Sequence, residues 1–380
     1  MTRKFLLLVL PLCALFLTHS SCGRTSATIN KTRTERMAKV GISPFMPPLA
    51  YQKGQEYVGP DEVLAQRVVE KMNAEWLEGD AAARKIRLVH VARKTSELVP
   101  ALKNSEADLI ISGFEVTDAR KEELELSDSY YTSELMLALN PMVNKSITHT
   151  NMKGQRIGVR AGSASEDVVK KNGAEPVPMG TLDDCVLALK SGEVSGVVDD
   201  KYMLAYALDT LPASSHLEIF PTAVTSLNCA VAARKGEEEL ILFVNEVIKT
   251  SKSDYATALE EHDAGHFAKV IPRYEERKKK EANAAKPRNI TICVQRGPGS
   301  TFDIYRMANQ SFTLGPYTTS RIQFSGKVGC ASVSAPPGEY VLSQAKFGFR
   351  TGVVITPSDS NSVRLTITIK ADGSTSVSRG

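Results

Sequence analysis

The stretch ADLIISGFEVTDARKEELELSDSYY, residues 107–131, decides the fold, because the apolar run DLIISG breaks at a glycine and hands over to a helical segment carrying Arg120. A second stretch, GEVSGVVDDKYML at 192–204, repeats the plan, with SGVVD as the strand and Asp200 where the next helix opens. Short apolar runs bounded by turn residues and followed by helical periodicity read as βα units. Open α/β sheets hold their ligands at such strand-to-helix loops. Arg120 is a planar bidentate donor and Asp200 an anionic acceptor. A small solute with a fixed carboxylate and a fixed ammonium needs one of each.

Outward from these anchors the alternation continues. The first round runs as strand MAKVGIS, helix DEVLAQRVVEKMNAEWL, strand IRLVHVA, helix TSELVPALKNS, strand DLIISG, then helix TDARKEELEL and the segment SDSYYTSELMLALN. The second runs as strand RIGVR, helix SASEDVVKKNG, strand EPVPM, helix TLDDCVLALKSG, strand VSGVVD, helix KYMLAYALDT and strands HLEIFP and NCAVAAR, and a long amphipathic segment from Glu237 to His262 closes it. Two sheets of similar plan predict two lobes within 37–271, the second over about 142–235, with a cleft between them. Thr117 reads as a helix cap.

The flanks differ. Residues 1–21 have a basic start and an apolar run of signal-peptide length, so export is expected. Residues 22–36, rich in Ser, Thr, Lys and Arg, read as a flexible tether, and 272–287 as a charged helical linker. Over 288–380 short alternating strands separated by Gly, Pro, Asn and Ser predict an antiparallel β-sandwich whose role the sequence does not state. A formal charge of +4 on 380 residues argues against a nucleic-acid partner. Cys185 and Cys229 read as buried thiols, and whether Cys293 and Cys330, in the β-rich region, pair is left open. No cysteine spacing suits zinc, and no cofactor is expected.

Several ordered motifs carry a resemblance. PPLAYQKGQEYVGPDEVLAQRV, LVPALKNSEADLIISGFEVTDAR with SDSYY, RIGVRAGSASE and SGEVSGVVDDKYMLAYAL resemble the family 3 extracellular solute-binding proteins over residues 37–268. The resemblance implies an α/β, two-lobed periplasmic binding protein fold, here with a C-terminal all-β sandwich-like domain. It also implies a binding protein, not an enzyme, that passes an amino acid or amino-acid-like molecule to an ABC permease. By position, Arg120 would hold a carboxylate, Asp200 an ammonium with the Gly113 carbonyl, and Ser163 and Ala164 the carboxylate from a helix start. Arg160 and Asp199 match side-chain-pocket positions.

Three positions depart from the family: Glu115 replaces the usual Ser or Thr, Ser43 stands where several members have Asp, and Met46 where an aromatic often covers the ligand. Glu115 either adds to recognition of a cationic ligand or pairs with Arg120 and fills the carboxylate site itself. Small residues before Cys22 resemble a lipobox, which implies a lipid anchor at the membrane, facing the periplasm or exterior. The alternative readings are an envelope sensor or adhesin, suggested by the extra β domain, and a cyclohexadienyl-dehydratase-like enzyme on the same fold.

Overall fold

A computed structural model describes residues 26–77, 85–144, 146–301, 304–307, 309–325, 327–345, 348–356, 362–370 and 374–379. The leader, residues 1–21, and the lipidation candidate Cys22 lie outside these residues. The chain divides into two compact units between Ile271 and Pro272.

The first unit starts with α1 (Ala27–Glu35), β1 (Met37–Ile42), β2 (Phe45–Met46), β3 (Ala50–Lys53), β4 (Glu56–Val58), α2 (Pro60–Glu75), β5 (Arg87–Ala92), α3 (Thr95–Lys103), β6 (Leu109–Ile110), α4 (Asp118–Glu123) and β7 (Leu124–Leu139). It continues with β8 (Arg156–Arg160), α5 (Ser165–Lys171), β9 (Glu175–Met179), α6 (Leu182–Ser191), β10 (Gly196–Asp200), α7 (Lys201–Thr210), β11 (Glu218–Ile219), β12 (Thr225–Arg234), α8 (Glu238–Asp263) and α9 (His266–Val270). Its main sheet runs β5-β1-β6-β12-β7-β10-β8-β9, with β11 paired to β7. The two ends, β5-β1-β6 and β10-β8-β9, are parallel βα layers, whereas β7 and β12 pair antiparallel to each other and to their neighbours.

The expected two sheets are therefore one hydrogen-bonded path. The long strand β7 carries the chain from one lobe into the other, and β12 brings it back. The second lobe thus takes in the C-terminal end of β7, ahead of the expected boundary at 142, because β10 and β11 pair with Leu135–Leu139. The helix expected over TDARKEELEL stops at Glu123. Leu124, Glu125 and Leu126 are already in β7, facing Arg234, Ala233 and Ala232 across the ladder. Helix α8 closes the first lobe instead of the second: it packs on α2, with Phe243 against Trp76 and Tyr255 against Tyr130.

The tether reading fails for residues 27–35, which form α1. Ser26 caps the helix by accepting from the Ile29 N–H and is itself bonded to Glu237, and the Thr28 hydroxyl donates to Glu237 at 2.6 Å. Ile29 is buried in the first lobe's core. The hydroxyl-rich composition that suggests a solvated chain here satisfies a buried carboxylate more than 200 residues away.

The second unit holds α10 (Pro272–Ala285), β13 (Arg288–Arg296), β14 (Thr313–Leu314), β15 (Tyr317–Thr318), β16 (Gln323–Ser325), β17 (Val328–Ala335), β18 (Gly338–Gln344), β19 (Phe349–Ile355), β20 (Ser362–Ile369) and β21 (Thr375–Arg379). Sheets β16-β17-β13-β20-β21 and β15-β14-β18-β19 bury one face each in a common core that includes Ile292, Phe312, Leu342 and Leu365. It is a sandwich but not a purely antiparallel one, since β13 and β20 pair in parallel. Cys293 and Cys330, directly opposite on β13 and β17, are joined by a disulfide, while Cys185 and Cys229 are buried free thiols.

Candidate functional site

The strand-to-helix loops of both lobes meet on one buried cluster. After β6 the chain turns at Gly113, whose φ of +52° is a conformation that side-chained residues rarely adopt. Phe114–Val116 are then strapped to β12, the Ala230 N–H donating to the Phe114 carbonyl and the Val116 N–H to the Asn228 carbonyl. This fixes Glu115 in the interior at 3% exposure. Thr117 caps α4 by accepting from the Arg120 N–H, which sets the first turn that carries Arg120.

Arg120 does not stand free to receive a carboxylate. Its Nη1 donates to the Glu115 carbonyl and, at 3.2 Å, to Glu115 Oε2; its Nη2 donates across the cleft to the Gly162 carbonyl at 2.8 Å; and its plane lies 3.8 Å from the Phe114 ring centroid. Of the two outcomes open at Glu115, the ion pair with Arg120 is the one formed.

In the second lobe Asp200 ends β10 and caps α7. Its Oδ1 accepts from the Tyr202 and Met203 N–H groups at 2.9 and 3.3 Å, and its Oδ2 accepts from the Tyr131 and Ser133 hydroxyls at 2.7 Å each. Burial pushes the Asp200 carboxyl above its ordinary range; the two hydroxyls partly offset this, and neighbouring Asp199 adds to it. Asp199 is held bidentate by Arg160 at 2.7 and 2.9 Å, with neither residue more than 3% exposed. Burial pulls the Arg160 guanidinium down, but Asp199 outweighs that and holds it above its usual range. The remaining Arg160 nitrogen donates to the Thr95 hydroxyl of α3 at 3.1 Å, a second tie between lobes. Arg160 and Asp199, expected at side-chain-pocket positions, thus form a mutual ion pair in which each satisfies the other's buried charge.

Gly162 lets the lobes touch. A Cβ there would stand 2.5 Å from Ser96 Cα of α3, and its φ is +79°. The Ser163 hydroxyl donates to the Arg160 carbonyl at 2.8 Å, and its N–H to the same oxygen, so both Ser163 donors close their own turn. Ala164 lines a cavity of about 250 Å³ with Thr117, Asp118 and Asp167, where α4 and α5 face each other. The Ser43 N–H donates to Ser112 Oγ at 2.9 Å, and the same Ser112 hydroxyl reaches Met46 Sδ at 3.5 Å, so Met46 is buried in the first lobe's wall.

Sequence reading missed Asp61. It lies on the buried stripe of α2 with Leu64, Ala65, Val68 and Met72, so its place in that helical period was the available signal. Its Oδ1 accepts from the Tyr255 hydroxyl at 3.0 Å, and its Oδ2 is buried without a partner at ordinary hydrogen-bond geometry. Burial raises its carboxyl to about 7, against partial relief from the hydroxyls of Tyr255 and Tyr130 and the Gly113 N–H, while Asp200 adds to the rise. Tyr131 and Ser133 were likewise unassigned as Asp200 partners, although with Leu135 they share one face of β7 at period 2.

A carboxyl raised on folding favours the folded state at pH values below its unfolded pKa, and that contribution is lost as pH climbs through about 7. Asp61→Asn, which keeps an acceptor for Tyr255, is therefore expected to gain stability over the wild type by as much as ~4 kcal/mol at pH 8 and by little at pH 4. Denaturant titrations of both proteins at the two pH values check this, and an equal difference at both would contradict it.

The sequence profile of bacterial extracellular solute-binding proteins, family 3, matches residues 38–262. A probable histidine-binding protein of Campylobacter jejuni is 29% identical over 175 residues, 45% of this chain and 63% of that protein, so the chain spans under two thirds of its length. The ABC transporter arginine-binding protein 1 of Escherichia coli K12 is 24% identical over 237 residues, 60% of this chain and 90% of that one. Among solved structures, a P235GK mutant of ArgBP from T. maritima superposes with a TM-score of 0.54 at 24% identity, over 62% of this chain and 99% of the other. An ancestral amino acid-binding protein, a precursor of cyclohexadienyl dehydratase, does so with 0.53 at 21%, over 62% and 99%.

Proposed function

Because the chain belongs to the bacterial extracellular solute-binding proteins, family 3, we propose that its first unit is a receptor for an amino-acid-like small molecule bound between the lobes. One observation carries the reading: the charged groups of both lobes, Arg120 and Glu115 from one, Asp200, Asp199 and Arg160 from the other, converge on a single buried cluster around Cys229 and Gly162. The Cys229 thiol is pushed well up by burial and then by Glu115, Asp200 and Asp61, so three carboxylates act on one point. The solute's ammonium is assigned to Asp200, with Tyr131 and Ser133 turning their hydroxyls to admit it, and Gly113 on the opposite wall. Binding would shift an open–closed equilibrium, since only the closed form brings Arg120 to Gly162 and Arg160 to Thr95. No bond is made or broken in this account. Arogenate or prephenate incubated with the protein is expected to remain unchanged.

The leader and Cys22 support export and attachment through a lipid, and the family supports delivery to an ABC permease. A palmitate analogue is expected to label the wild type and not Cys22→Ala. The β unit lies beyond the family match, which favours envelope sensing as the second reading. Adjacent permease and ATPase genes would support uptake, and their absence sensing. The receptor reading itself is tested by a thermal-shift panel on the exported chain: a ligand of the native state must raise the melting temperature, and the expected result is a shift with one class of amino-acid-like solute.

A further inference from the structure

Arg120 is already neutralised by the protein's own chain. Glu115 Oε2 sits 3.2 Å from Nη1, and the same nitrogen also holds the Glu115 carbonyl, so side chain and backbone of one residue clamp one arm of the guanidinium. The clamp is built in, because Phe114–Val116 are paired to β12 on both sides of Glu115. A solute carboxylate brought to Arg120 would therefore lie beside a second, buried carboxylate.

The charge balance of the cluster points the same way. Asp61, Glu115, Asp199 and Asp200 are all buried, and they face two guanidinium groups, Arg120 and Arg160. Lys201, which also acts on Asp200, is taken by Glu134. Asp61 Oδ2 has no partner at ordinary hydrogen-bond geometry among the described residues and lies 4.0 Å from where a Cβ on Gly113 would stand, just behind the turn expected to receive the ammonium. The cluster thus carries an excess of one negative charge with Asp61 protonated and of two with it ionised, to which a solute carboxylate would add another.

We propose that Glu115 takes, from within the protein, the place at Arg120 that a ligand carboxylate would fill, so that the solute is a cationic amine or guanidine without a free carboxylate beside its amine. This rests on the receptor reading and names its ligand class. Like-charge juxtaposition in a dry site discriminates strongly, and the expected preference is about a hundredfold.

The test is isothermal titration of the exported chain with two matched pairs, agmatine against L-arginine and cadaverine against L-lysine, which differ only in the carboxylate. In the wild type the decarboxylated member of at least one pair is expected to bind about a hundredfold tighter. Glu115→Ser, with Glu115→Gln as the size-preserving control, is expected to reverse or erase that preference by freeing Arg120. Tighter binding of the carboxylate-bearing member to the wild type overturns the inference while leaving the receptor reading intact, as does a ratio unchanged in both variants. Silence from all four ligands in all three proteins also overturns the inference, and the receptor reading then stands or falls on the thermal-shift panel.

Discussion

Replacing Arg160 by methionine is expected to lower the unfolding free energy of the first unit by about 3–5 kcal/mol, the range for stripping one partner from a buried ion pair. The carboxylate left behind, Asp199, has no exposed surface, and its bidentate partner supplies two of its bonds at 2.7 and 2.9 Å, leaving among the described residues the Asp200 N–H at 2.8 Å. Removing both charges together is expected to be far milder. Arg160→Met with Asp199→Asn keeps an acceptor for the Asp200 N–H and is expected to recover all but about 1–2 kcal/mol, because the penalty lies in the orphaned charge and not in the lost contact. Denaturant titration of the two single variants and the double variant measures this coupling. A loss below about 1 kcal/mol in Arg160→Met would mean that water or another cation reaches Asp199.

Asp200→Asn is expected to weaken solute binding by about 30- to 3,000-fold, the span of a buried charged partner lost from a binding site. Asparagine keeps the oxygen that accepts from the Tyr202 and Met203 N–H groups, and its amide can donate to Tyr131 and Ser133, whose hydroxyls rotate. Asparagine also caps helices about as well as aspartate. The substitution therefore removes charge while the local structure stands, and lost affinity with a melting temperature no lower than the wild type's is the expected pair of results. Retained affinity would remove Asp200 from the site.

Much of the scaffold was legible because its signals are local. The runs DLIISG and SGVVD, each followed by a helix, located β6 with α4 and β10 with α7, and Thr117 stood where a cap was needed. What stayed hidden depends on contacts distant in sequence. LEL at 124–126 reads as the tail of a helix until β12, more than 100 residues on, pairs with it. Likewise, α1 reads as tether until Glu237 meets Ser26 and Thr28. The long apolar stripe of α8 announces a buried face, but nothing local tells which lobe receives it.

The site divides in the same way. The framing of Arg120 and Asp200 singled them out as candidates, but their partners were not legible. Whether Glu115 turns to Arg120 or to a ligand is decided by the strap to β12, and the pairing of Arg160 with Asp199 by the parallel neighbours β8 and β10, neither of which a charge pattern reveals. Asp61 shows the limit most clearly. An acidic residue in the first turn of α2 reads as helix-dipole chemistry at a surface, yet it lies fully buried behind the Gly113 turn, with its carboxyl raised to about 7.

In the proposed receptor one solute engages both lobes at once. Amide hydrogen exchange of the exported chain, with and without the solute found by thermal shift, tests that most directly. The predicted result is joint protection of Gly113–Arg120 in the first lobe and of Arg160–Ala164 and the start of α7 in the second, lost together in Asp200→Asn. Protection confined to one lobe, or appearing only in residues 272–380, would contradict it.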